Sequence, residues 1–242
     1  MAATGELIVP ARYCGPPHSG NGGWVSGTAA AFVPTDDERP AVTVRLRTPP
    51  PLDRPLAVTT GEDGTVRVTD GDHPVLEASA VARPAVDGIP AAVSFAVAEA
   101  AGDGYEGLSD HPFPTCFTCG TQRGDDALDL RPGRLQDGDT YAAAWTPAAD
   151  VDVATVWAAL DCPGGWSAGF AGRPMVLGTM TAWVGRVPTP GEPHVVMAWP
   201  RGAQGRKFFS GTALYAAGGD LLGQAEATWI AVDPAAIRPA GS

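Results

Sequence analysis

The hexapeptide Gly22-Gly23-Trp24-Val25-Ser26-Gly27 returns as Gly164-Gly165-Trp166-Ser167-Ala168-Gly169, 142 positions later in a chain of 242 residues. That offset is too long for a solenoid repeat and shorter than the chain. It points to two copies of one domain of about a hundred residues each. After each copy a short run of small apolar residues leads into β-rich sequence that ends in a long strand pattern.

The remaining pattern gives each half the same order. A helix is expected to start near Ser19–Asn21, after Gly15-Pro16-Pro17. Strand runs follow at Ala41–Leu46, Leu56–Thr59, Thr65–Val68 and Val75–Val81, separated by glycine and proline. Ala92–Ala101 reads as a short linker helix. The polar, glycine-rich stretch Gly102–Pro114 marks the boundary, which gives a first domain over 1–103 and a second over 104–242. In the second half, Leu128–Leu135 and Thr140–Trp145 read as strands. Val153–Leu160 reads as a helix broken by Asp161-Cys162-Pro163-Gly164-Gly165, with a second helical stretch over Trp166–Phe170. Met175–Val187, His194–Trp199, Lys207–Ala216 and Leu221–Val232 carry the cleanest β signal. The fold class is α+β, a helix and then an antiparallel sheet in each half, because the strands follow too closely for parallel crossovers.

Composition narrows the function classes. The net charge of −11 argues against nucleic acid or an anionic membrane as the main partner. No run of eighteen apolar residues suggests a membrane span, and the N-terminus lacks a basic-then-apolar leader, so a cytoplasmic location is expected. No phosphate-binding loop, serine elbow or dinucleotide fingerprint is present, so no cofactor is expected.

Asn21-Gly22-Gly23 at a helix start, followed by an antiparallel sheet and a second copy, resembles the tandem hotdog proteins and, more narrowly, their acyl-CoA thioesterase group. Cys14–Gly27 is similar to the first helix entry of that group. Cys116–Gly133 and Val156–Trp166 look like recurring features of an actinobacterial branch. The resemblance implies two fused hotdog domains, each a sheet wrapped around a central helix, with ligand sites between the units near the helix N-termini. It implies an acyl-CoA or acyl-carrier thioester as partner, and pairing of two such chains as a homodimer.

Four constellations can carry chemistry. In Ser19–Gly23, Gly22 and Gly23 let backbone donors approach a thioester carbonyl, with Asn21 and His18 as the nearby polar groups; the alternative is tight helix packing. In Asp161–Gly165, alignment of the two Gly-Gly-Trp elements places Asp161 opposite Ser19. Asp161 is then either the N-cap of a helix beginning at Pro163 or a carboxylate that activates water across the domain interface, with Gly164 and Gly165 as further substrate contacts. Cys162 beside it is expected to be a buried structural residue.

Cys116-Phe117-Thr118-Cys119-Gly120 has the spacing of half a zinc knuckle, but its only possible partners, Cys14 and Cys162, lie far apart in sequence, so no metal is expected. Arg201, Arg206 and Lys207 form a basic loop suited to the phosphates of coenzyme A, or a solvated hairpin turn. The expected activity is hydrolysis of an acyl thioester. The alternative is a hotdog protein that binds an acyl or polyketide-like ligand without turnover. A hydratase, needing Asp161 and His18 to meet across the domains, ranks last.

Overall fold

In the computed structural model, which describes residues 3–85, 88–136 and 138–233, the described strands form one antiparallel sheet of eleven. In chain order they are β1 (Ala3–Ile8), β2 (Ala41–Leu46), β3 (Pro55–Thr60), β4 (Val66–Asp70), β5 (His73–Val81), β6 (Gly133–Arg134), β7 (Tyr141–Trp145), β8 (Met175–Val184), β9 (His194–Gln204), β10 (Lys207–Ala216) and β11 (Leu221–Ala231). The helices are α1 (Gly22–Ala30), α2 (Phe95–Gly102) and α3 (Val153–Ser167). Alternation builds the strands locally: in β3, Leu56 and Val58 point inward while Pro55 and Ala57 face solvent.

The sheet order is β1-β3-β4-β5-β2-β8-β11-β10-β9-β7-β6. Outward from the β2–β8 seam, both halves repeat one connectivity. A strand precedes the helix, the first strand after the helix lies at the seam, and the next three form a meander whose last strand returns beside it. The seam is antiparallel, pairing Val42 with Ala182 and Val44 with Met180. The hydroxyls of Thr43 and Thr181 meet across it at 2.7 Å.

Helices α1 and α3 lie together on one face of this sheet. Their contact is unusually close because it is made through glycine. A Cβ on Gly23 would sit 2.6 Å from Trp157 O, and one on Gly27 would sit 2.7 Å from Ala154 Cα. Gly23 thus faces the later part of α3 and Gly27 its start, so the helices run antiparallel. α2 covers the opposite face, where Ala98 packs with Val195 and Met197 of β9. Val196 of the same strand faces the main core. Burial on both faces explains the unbroken apolar run there.

Two expectations are corrected. The two Gly-Gly-Trp elements are not equivalent, since the first opens α1 and the second closes α3. The halves do repeat, but their corresponding helix starts are Gly22 and Val153. Asp161 is also not a cap, and the helix does not break before it. α3 runs through Asp161, Cys162 and Pro163, and its N-cap is Asp152, whose side chain accepts from Thr155 N–H.

Proline inside a helix removes the N–H that would bond the carbonyl four residues earlier, here Ala159. Hydroxyls serve the carbonyls on either side: Thr118 Oγ1 donates to Ala158 O at 3.3 Å, and Thr212 Oγ1 donates to Leu160 O at 2.8 Å. Gly164 and Gly165 sit in the last turn, where added Cβ atoms would meet Ser210 Oγ at 2.7 Å and Phe170 at 2.6 Å. They serve packing.

Gly27→Ala is expected to cost about 1–3 kcal/mol by overpacking the helix contact. Gly218→Ala, where a Cβ meets nothing within 4 Å, should stay within about 0.5 kcal/mol. Denaturant unfolding of both variants measures the difference.

Candidate functional site

A cavity of about 400 Å³ opens where the two halves of the molecule meet, at the N-terminus of α1. Its walls are largely apolar: Leu46, Phe113, Phe170, Met175, Leu177, Trp229 and Ile230. Asn21, Gly22, Asp161 and three cysteines form its polar part, and His18 and Arg47 also line it. The segment between α2 and β6 helps close it. That segment is tied down by Phe117 N–H to Cys14 O (2.8 Å) and by Tyr105 Oη–H to Cys119 O (2.9 Å).

Asp161 is the central group. It is 2% exposed, on the face of α3 that meets α1. Its Oδ2 accepts a hydrogen bond from Gly23 N–H at 2.9 Å, joining residues 138 positions apart. Its Oδ1 is buried with no hydrogen-bond partner. Burial pushes the carboxyl up to about 8, while the Gly23 N–H and the Asn21 side chain work in the opposite sense.

Asn21 caps α1: its Oδ1 accepts from Trp24 N–H at 2.8 Å. Its Nδ2 points the other way, 3.7 Å from the Sγ atoms of both Cys116 and Cys162. The backbone donors expected to meet a substrate are therefore only partly free. Gly23 N–H is engaged by Asp161, whereas Gly22, at the first helical position, borders the cavity.

The remaining sequence candidates are dispersed. His18 is exposed and lines the cavity beside Pro16-Pro17. Arg201 lies in β9 and pairs with Glu226 of β11. Arg206 and Lys207 are exposed at the β9–β10 turn. None of the three lines the cavity, but Lys207 stands opposite Ile230, which does.

Sequence spacing missed where Cys162 lies. The fold carries it to the Cys116–Cys119 turn, 3.6 Å from Cys116 Sγ. His111, five residues before that turn, is held neutral in one tautomer. Its Nδ1 accepts from Phe113 N–H (2.9 Å), which leaves Nε2–H to donate to Cys119 O (3.0 Å). Burial lowers its pKa.

No protein-family model and no curated protein matches the sequence. Solved structures do match in shape. A hot dog fold protein of unknown function from Alicyclobacillus acidocaldarius superposes with a TM-score of 0.62 at 17% identity, over 95% of this chain and 93% of that one. The chain has the double hotdog fold. An acyl-CoA thioesterase II, TesB2, from Mycobacterium marinum gives 0.59 at 14% identity, over 98% and 94%. The dehydratase domain of PpsC from Mycobacterium tuberculosis, solved with C12:1-CoA, gives 0.57 at 12% identity, over 94% and 92%. At these identities the likeness speaks for the fold alone. No helix among the described residues is long and apolar enough to cross a membrane.

Asn21→Ala should cost about 1 kcal/mol through loss of the α1 cap, and Asn21→Ser should recover most of it. Urea unfolding midpoints of the two variants provide the check.

Proposed function

We propose that this chain hydrolyses acyl thioesters, with an acyl-CoA or acyl-carrier thioester as substrate. The observation that carries this reading is the buried carboxyl of Asp161, held at the N-terminus of α1 on the wall of an apolar cavity. The apolar walls suit an acyl chain. In this reading Gly22 N–H, at the positive end of α1, takes the carbonyl oxygen as charge develops on it. Asp161 then removes a proton from the attacking water, and a carboxyl poised near neutrality suits that task. The basic groups Arg206 and Lys207, beside the edge of the cavity, suit the phosphates of coenzyme A. The repeated connectivity supports a tandem duplication of one unit, with the boundary near residues 103–104.

One observation favours the competing reading, an acyl-ligand binder without turnover. Gly23 N–H, a natural oxyanion donor, is already taken by Asp161. That reading predicts tight binding of acyl ligands and no release of thiol.

Asp161→Asn keeps an acceptor for Gly23 N–H and should fold. It is expected to lower kcat about 10²–10⁴-fold, with acyl-CoA hydrolysis followed by free-thiol release. Unchanged turnover in the folded variant would remove Asp161 from the mechanism.

A further inference from the structure

Three of the four cysteines meet at the cavity although two distant parts of the chain supply them. Cys116 and Cys119 belong to one turn and Cys162 to α3, yet their Sγ atoms all lie within 4.8 Å of one another. Zinc bound tetrahedrally at about 2.3 Å sets neighbouring sulfurs about 3.8 Å apart. The 3.6 Å between Cys116 and Cys162 matches one edge of that tetrahedron, and Cys119 Sγ lies within 4.8 Å of both. A disulfide would use two of these sulfurs and leave the third unexplained.

Hydrogen-bond donors from separate parts of the chain converge on these sulfurs. Asn21 Nδ2 reaches both Cys116 and Cys162. The Trp166 indole N–H is fully buried, has no hydrogen-bond partner, and faces the Cys119 thiol. Gly120 closes the turn. Its N–H donates to Cys116 O at 2.9 Å, and a Cβ there would lie 2.5 Å from that oxygen. N–H groups aimed at sulfur favour the anion, but three buried anions side by side are costly without a counter-charge. A divalent cation supplies that charge, and the N–H groups become its outer support.

We infer that Cys116, Cys119 and Cys162 form a three-thiolate site for a thiophilic divalent cation, Zn²⁺, whose fourth position opens into the cavity. All three residues line that space, as does Asp161 with its unpartnered Oδ1. Three protein ligands and an open fourth position allow zinc to hold an exchangeable water or thiol. Binding displaces the three thiol protons to solvent, and no electron transfer is involved. The inference stands independently of the thioester reading, since the ligand set is complete without a substrate.

The test uses the full chain, purified under reductant without chelator and loaded with Zn²⁺ or Co²⁺. Elemental analysis should find one Zn²⁺ per chain. Co²⁺ should give a thiolate-to-cobalt charge-transfer band with the visible bands of a four-coordinate ion. Cys119→Ser should weaken binding at least about tenfold. Cys14→Ser should bind as the wild type does, because that thiol is engaged with Thr115 O and Arg123 instead. The inference is overturned if wild-type protein retains no ion and leaves the Co²⁺ spectrum that of the aqueous ion. It is also overturned if folded Cys119→Ser binds as tightly as wild type, or if Cys116 and Cys162 are found disulfide-linked in reduced, folded protein. The wild-type spectrum decides even where a variant fails to fold.

Discussion

The close approach of α1 to α3 holds the molecule together and makes its site. Side chains of ordinary size would keep two packed helices about 8–10 Å apart. Here Gly23 and Gly27 leave no Cβ between them, and Trp157 and Ala158 come against the backbone of α1. One consequence is energetic: six of the nine residues of α1 are buried, Gly23, Ser26, Gly27 and Ala29 among them. The other is chemical. A carboxylate from the second half reaches the first amide groups of a helix from the first half, which a wider spacing would forbid.

The two halves repeat a connectivity but have diverged at their helix starts. α1 begins at a buried asparagine, beside a cavity and three thiols. α3 begins at Asp152, an exposed cap that bonds both the amide and the hydroxyl of Thr155. The polar chemistry gathers at the first of these, where α3 contributes Asp161 and Cys162 from its middle. Around Pro163, strand β10 and the segment after α2 supply hydroxyls to the flanking Leu160 and Ala158 carbonyls. Thr118, which serves Ala158, sits between the two cysteines of the turn, so the support of the helix and the placing of the sulfurs are one arrangement.

Much of the sheet was legible because alternation and turn residues act locally. β2 and β10 fall on the residues expected, and Asn21 caps α1 as its position suggests. What was not legible depends on tertiary contacts. Asp-Cys-Pro-Gly-Gly reads as a helix break by local preference, yet α3 runs through it, buried among residues distant in sequence. The strand expected over Leu128–Leu135 shrinks to Gly133–Arg134, and β1 was not foreseen. The repeated Gly-Gly-Trp suggested equivalent helix starts, but the two copies mark opposite helix ends. The meeting of Cys162 with Cys116 and Cys119 could not be read from spacing, since only the path of α3 beneath the Cys116–Cys119 turn brings them together.

The account depends on the bond from Gly23 N–H to Asp161, which can be observed directly by amide hydrogen exchange. Amides in the first turn of a helix normally lack partners and exchange fast. The Gly23 amide should be protected like the interior of α1 in the wild-type protein and should lose that protection in Asp161→Ala. Rapid exchange at Gly23 in the wild type, at the rate of an uncapped first-turn amide, would contradict the site described.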